Sequence, residues 1–459
     1  MNGWLEQVVE AIADRGRELL GRRGDTSEPI DALCRALLKG QGEASGIALA
    51  RDILQRYQAM DEAGRLAFFQ LLADEFSPPL APMQAALARY ADSRSPADLD
   101  ALVAAVEPPR QELFRRLNMA PNGTAALVSL RGDLLALLRE HPELRAVDAD
   151  LKHLLGSWFN RGFLRLEDIS WNSPAQLLEK LINYESVHAI RGWDDLRRRL
   201  MPDRRCFGFT HPAMPGEPLI FVEVALVQGM SAAVGELLDP ASPVLDTALA
   251  DTAVFYSINN TQVGLRGISF GNFLIKQVLT ELRAVLPSIQ TFATLSPMPR
   301  FASTLRRAIA GDEPAWPVPR INALLGEDGD ALCLAAGRHD PADALLALLD
   351  GEPDAHAELL AGPLRRLALA YLHLPDKRGG LTDPVAMFHL SNGARLERIN
   401  VFADPSAERR KASFGVMVNY LYDPAEVEVN HERFAEQGEV VLSRELSRLY
   451  RPLALAAEA

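Results

Sequence analysis

Two short segments carry side chains suited to moving a proton or polarising a carbonyl. In Thr294-Leu295-Ser296-Pro297-Met298-Pro299 a serine ends a strand-like run and is followed by prolines. Their fixed φ would hold its hydroxyl on a rigid corner. In Phe388-His389-Leu390-Ser391-Asn392-Gly393-Ala394 a histidine stands just before an Asn-Gly turn. Imidazole is the side chain best suited to exchange protons near neutral pH. Each has a plainer alternative: a proline turn with a capping serine, and a structural histidine. Ser296 lies outside any GxSxG elbow, so a serine-hydrolase nucleophile is not indicated. The nine histidines form no HExxH and no close triad, which gives a protein-built metal site little support.

Three further segments bear on binding. Gly264-Leu265-Arg266-Gly267-Ile268-Ser269-Phe270-Gly271-Asn272 follows the strand-like AVFYSINN and leads into a helical stretch, Phe273 to Leu286. A strand, a glycine-bearing loop and a helix can present backbone N–H groups to a pyrophosphate, and Arg266 could add charge. The spacing fits neither GxGxxG nor GxxxxGK[ST], and a tight turn capped by Asn272 is the alternative. FGVMVNYLY, residues 414 to 422, alternates as a sheet strand does. It turns Tyr420 and Tyr422 to one face and Asn419 to the other, or is simply a core strand with aromatic ends. The run Arg197, Arg198, Arg199, Arg204 and Arg205 reads as a solvated helix face, with ligand phosphates as the second reading.

Residues 1 to about 160 read as helix after helix. Apolar stripes recur at helical spacing in Leu66 to Leu72, Leu99 to Val106, Leu127 to Leu138 and Leu151 to Phe159. Ser27, Asp61-Glu62 and Ser95-Pro96 are expected helix starts. After Arg161, runs rich in Val, Ile, Phe and Tyr predict strands at Cys206–Thr210, Leu219–Val227, Ala253–Ile258, Thr291–Leu295, Arg398–Phe402 and Phe414–Tyr422. Helical stretches lie between them, including Pro341 to Leu349 behind an Asp340 cap. The expected architecture is multidomain. An all-α N-terminal helical bundle covers 1–160, and an α/β (α+β) domain covers 161–459 with a mostly helical insertion at about 309–366.

The 459 residues are 48% hydrophobic and 24% charged, an ordinary globular balance for two or three domains. A formal net charge of −13 argues against nucleic-acid or anionic-membrane binding, yet leaves room for an anionic small ligand beside local arginines. Three scattered cysteines suggest neither a disulfide framework nor a zinc site, and fit a reducing, cytoplasmic setting. The opening MNGWLEQVVEAIADRGRELL is broken by Glu6, Glu10 and Asp14, unlike a signal or transit peptide.

Taken together, FYSIN, GLRGISFGNFLIKQV, FATLSPMPRF, FHLSNGA followed by RIN and AD, and FGVMVNYLY resemble the malonyl-CoA decarboxylase family. Weaker agreement runs through RRCFGFTHPAMPGEPLIFVEVAL and ISWNSPAQLLEKL. The resemblance implies a helical oligomerisation domain ahead of a catalytic domain with a GNAT acetyltransferase-like fold. It implies conversion of malonyl-CoA to acetyl-CoA and carbon dioxide in fatty acid metabolism, with no cofactor, neither metal nor biotin. It makes Ser296 and His389 the catalytic pair and Tyr422 the support of the histidine. Arg266, Gly267, Ile268, Ser269, Phe270, Gly271 and Asn272 become the acyl-CoA-binding segment. It also implies a homo-oligomer, a tetramer built as a dimer of dimers. Ser269 stands where some family members have glutamate, so no role of that carboxylate transfers. The competing readings are an acyl-CoA-dependent acyltransferase and a non-catalytic acyl-CoA-binding protein.

Overall fold

The computed structural model describes residues 3–19, 28–40, 42–268, 274–376 and 380–458. It divides into two compact units: Met1–Arg165 with Phe209–Ile220 and Asn260–Gly271, and Leu166–Gly208 with Phe221–Asn259 and Asn272–Ala459.

The first unit is built on helices, among them Glu43–Gln58, Glu62–Asp74, Pro109–Leu117, Gly123–Leu137 and Arg145–Trp158. Helical spacing decides what each buries: Gly123–Leu137 turns Leu127, Leu130 and Leu134 inward. They join Ile53, Phe69 and Leu113 in one core. Asp61 and Ser95 cap as their residue types predict, accepting from Gly64 N at 2.8 Å and Asp98 N at 3.1 Å. Ser27 lies outside the described residues, and Pro29 holds the cap position of Ile30–Leu38. The helices Leu80–Ser93 and Pro96–Val106 differ from the rest. The second buries no residue, and Leu80, Leu87, Leu99, Val103 and Val106 are exposed.

The second unit is organised by a mixed sheet of eight strands among the described residues: β1 Arg165–Ile169, β2 Arg204–Thr210, β3 Pro218–Val227, β4 Thr252–Asn260, β5 Thr291–Thr294, β6 Ser296–Pro297, β7 Arg395–Asn400 and β8 Met417–Leu421. Their order is β1-β2-β3-β4-β5-β8-β6, with β7 also on β8. β5 runs parallel to β4, whereas β5, β6 and β7 all run antiparallel to β8. Helices Phe301–Ile309, Val318–Leu325, Asp328–Ala336, Pro341–Asp350 and Ala357–Tyr371 fill the chain between β6 and β7. Among the described residues no helix is long and apolar enough to cross a membrane.

Three differences from the sequence-based expectation have clear causes. β1 went unanticipated because RLEDI is mostly polar and only Ile169 is buried. β7 ends at Asn400, since Phe402 has φ +57°, which a strand cannot accommodate. β8 begins at Met417 because Phe414 and Gly415 both have positive φ, at +55° and +77°, and end the helix Ala407–Ser413. The arginine run is also corrected. Arg198, Arg199 and Arg204 are buried, not solvated. Arg198 and Arg204 pair with Asp203 at 2.8 and 2.9 Å, and Arg199 with Asp195 and Glu223 at 2.9 and 3.0 Å. Burial pushes the Glu223 carboxyl up to about 8. These arginines face carboxylates of their own chain, which is what a buried guanidinium requires.

Candidate active site

Ser296 sits where two parallel strands part. β4 and β5 stay in register from Thr252↔Thr291 to Phe255↔Thr294, and Leu295 N still donates to Phe255 O at 3.0 Å. Beyond that point β4 continues, while Ser296 and Pro297 pair instead with Val418 and Met417 of β8. Pro297 has no N–H to extend a ladder, so the partner change falls at the serine. Ser296 is 6% exposed.

His389 lies near the end of the helix Pro384–Ser391, just before the Asn392-Gly393 turn. Asp383 caps that helix, accepting from Val385 N at 3.0 Å and Ala386 N at 2.8 Å, and its other oxygen accepts from Tyr371 Oη at 3.0 Å. Past the helix, Gly393 takes φ +83°, and a Cβ there would run into the Val427 carbonyl. Only glycine fits this turn.

These elements bring Ser296, His389 and Tyr422 together. His389 Nε2 is 3.0 Å from Ser296 Oγ, and its Nδ1 is 2.8 Å from Tyr422 Oη. Burial pushes the imidazole down to about 3, so it is neutral at ordinary pH, and raises the Tyr422 phenol well above its usual range. A neutral imidazole carries one N–H. Tyr422 Oη has no hydrogen-bond partner besides Nδ1 among the described residues, so its hydrogen is placed toward Nδ1. The imidazole hydrogen then sits on Nε2, facing Ser296.

Two residues to which sequence reasoning gave no role in the site complete the arrangement. Thr294 Oγ1 accepts from Ser296 Oγ at 2.9 Å and from Tyr420 N at 3.2 Å. It lies two residues before Ser296, where a strand returns side chains to one face, and that spacing was the available signal. Tyr420 stacks on His389, with centroids 4.6 Å apart and planes at 25°. The tyrosine parity holds, since Tyr420 and Tyr422 both meet His389. Asn419, on the other face, donates to Thr294 O at 2.7 Å and accepts from Arg398 Nε at 3.0 Å.

Of the phosphate-binding candidates, Ser269, Phe270, Gly271 and Asn272 lie outside the described residues. Arg266, Gly267 and Ile268 belong to the helical unit. They follow a short turn of 3₁₀ helix, Val263–Leu265, and Arg266 and Gly267 are exposed. A cavity of about 200 Å³ is lined by Leu219, Asn260, Gln262 and Val263 together with Arg266 and Gly267.

The malonyl-CoA decarboxylase C-terminal domain family matches residues 162–458, and the N-terminal domain family matches 76–159. The chain is similar to a crystal structure of malonyl-CoA decarboxylase from Rhodopseudomonas palustris, with 47% identity, TM-score 0.82 and coverage of 91% of this chain and 98% of that one. The corresponding structure from Agrobacterium vitis aligns at 43% identity and TM-score 0.79, over 92% and 99%. Among curated relatives, the mitochondrial malonyl-CoA decarboxylase of Anser anser anser is 39% identical over 69% of this chain, and that of Rattus norvegicus is 38% identical over 70%. The matched region spans 64% and 67% of the length of those two relatives.

Proposed function

For a chain that belongs to the malonyl-CoA decarboxylase family, we propose that the buried Ser296–His389–Tyr422 chain decarboxylates malonyl-CoA to acetyl-CoA. The hydrogen-bonded contact of Ser296 with His389, between residues 93 positions apart, is the observation that carries the reading.

Decarboxylation breaks the bond between the malonyl carboxylate and the α-carbon. The electron pair becomes a thioester enolate as carbon dioxide leaves. Catalysis must stabilise charge arriving at the thioester oxygen and then protonate carbon. Ser296 donates its O–H to the malonyl thioester, exchanging Thr294 for the substrate. His389 gives its Nε2 hydrogen to the α-carbon while the Tyr422 hydrogen moves to Nδ1, so the imidazole stays neutral. Solvent returns the proton to Tyr422, whose high pKa drives that step. The products are acetyl-CoA and carbon dioxide, with one proton consumed and no acyl-enzyme. Arg266 to Asn272 is the proposed segment for the CoA phosphates.

The same proposal includes metal- and biotin-independence, a cytoplasmic setting and self-association through a helical domain over 1–160. The catalytic domain would cover 161–459. Ser296→Ala and His389→Ala are expected to lower turnover by a factor on the order of 10² to 10⁴ while folding survives. Near-normal rates in both would reject the site. Turnover should persist in chelator, and mass analysis should find acetyl-CoA. Free CoA formed only with an acceptor would mark an acyltransferase.

A further inference from the structure

The turn from Gly264 to Gly267, where the proposed phosphate segment begins, is shaped and charged by helices of the N-terminal half. Arg131, on the helix Gly123–Leu137, is 2% exposed and pairs with Asp148 through Nε at 2.8 Å. Its Nη1 donates to Gly264 O at 2.6 Å and to Arg266 O at 3.0 Å. One buried guanidinium therefore sets the backbone of the turn on both sides of Leu265. Gly264 packs so closely on that helix that a Cβ would run into the Val128 carbonyl. The next helix, Arg145–Trp158, brings Lys152 to the same turn. A Cβ built on Gly267, whose φ is +76°, would stand 3.5 Å from Lys152 Nζ. Lys152 and Arg266 are both exposed, and neither is paired with a carboxylate among the described residues. Two free cations thus flank a glycine with no side chain, beside the cavity of about 200 Å³. In a chain of net charge −13 this is a local reversal of sign. Cations held apart from their own carboxylates suit a phosphate ester, which accepts hydrogen bonds from both.

We propose that Lys152 is a phosphate-binding residue of the acyl-CoA site, gripping a CoA phosphate over Gly267 together with Arg266, so that the N-terminal helices take part directly in substrate recognition. The inference rests on the acyl-CoA reading but not on decarboxylation. It is tested with full-length wild type and Lys152→Gln, a substitution at an exposed position. Calorimetric CoA affinity is expected to weaken by roughly 10- to 100-fold in the variant, the loss of one charge-assisted contact. The ratio of kcat/KM on malonyl-CoA to that on malonyl-pantetheine, which lacks all phosphates, should collapse by a similar factor, with the change in KM. Dephospho-CoA locates the contact: a penalty that persists assigns the pyrophosphate, and one that vanishes assigns the 3′-phosphate. Unchanged CoA affinity, or equal losses on both thioesters, would overturn the proposal. Tight, Lys152-dependent CoA binding by a wild type that releases no carbon dioxide would leave it standing while the decarboxylase reading fell.

Discussion

Burial keeps the His389 imidazole neutral, and that has a measurable cost in acid. Folded His389 and His188 resist protonation until about 3 and about 4, both chiefly because burial penalises the cation. In the unfolded chain each takes up a proton near 6.5, so over this window the unfolded state binds more protons. Stability is therefore full above about pH 6.5 and is lost as pH falls toward the folded values, on the order of 1 kcal/mol per pH unit for each residue. Urea midpoints measured from about pH 7 to about 4.5 should fall, and His389→Gln should flatten the decline. Parallel curves for variant and wild type would contradict the burial argument. Ser296, His389 and Tyr422 were legible because unusual residue types stood in recognisable segments. Thr294 was not singled out, and Tyr420 was placed on the face of Tyr422 without a role in the site. A threonine and a tyrosine in strands ordinarily serve packing, and only the fold shows which polar atom each one meets.

Elements decide whether such residues can meet at all. His389 depends on a helix of eight residues, too short to hold itself without tertiary support. Asp383 anchors its start through two backbone amides and Tyr371, and is wholly buried. Asp383→Ala removes a cap worth about 1 kcal/mol and leaves the Tyr371 hydroxyl without its partner, at a further cost of about 1–3 kcal/mol. A lowered thermal midpoint and reduced turnover are expected together, with Asp383→Asn retaining most of both because it still accepts from the amides. Equal losses in the two variants would show that the cap is not what matters. Periodicity revealed six of the eight strands, β2 to β5 within two residues at each end. It overextended β8 because Phe414-Gly415-Val416 is as apolar as a strand, and only the left-handed backbone at Phe414 and Gly415 shows otherwise. The buried arginines misled for a related reason. A charge run signals solvent until its carboxylate partners are known, and Glu223 lies 24 residues from Arg199.

On the scale of the whole molecule, the helical half exposes several large apolar side chains among the described residues. Leu99 is 41% exposed, Val103 59% and Leu87 54%, on two helices whose neighbours along the chain are well packed. Water-exposed leucines and valines grouped this way favour association, and they are the surface on which we place the proposed self-assembly. Light scattering should give a multiple of the 50.3 kDa chain, and Leu99→Asp with Val103→Asp should shift it toward the monomer. An unchanged mass would move the interface elsewhere. Composition predicted two kinds of architecture in the right order, because helical and strand periodicities differ plainly. It could not show the apolar hairpin as exposed, since its stripe reads like any core-facing one. The sheet order has a last implication. β8, formed by residues 417 to 421, lies between β5 and β6, which are made more than a hundred residues earlier; its backbone pairs with Ser296, and its Tyr420 ring stacks on His389. Until that late segment emerges from the ribosome, β5, β6 and β7 lack their common neighbour and Tyr422 is not yet in place. On the ribosome, the hydrogen-bonded chain from Ser296 through His389 can therefore close only after residue 422 has been made, more than 120 positions after the serine.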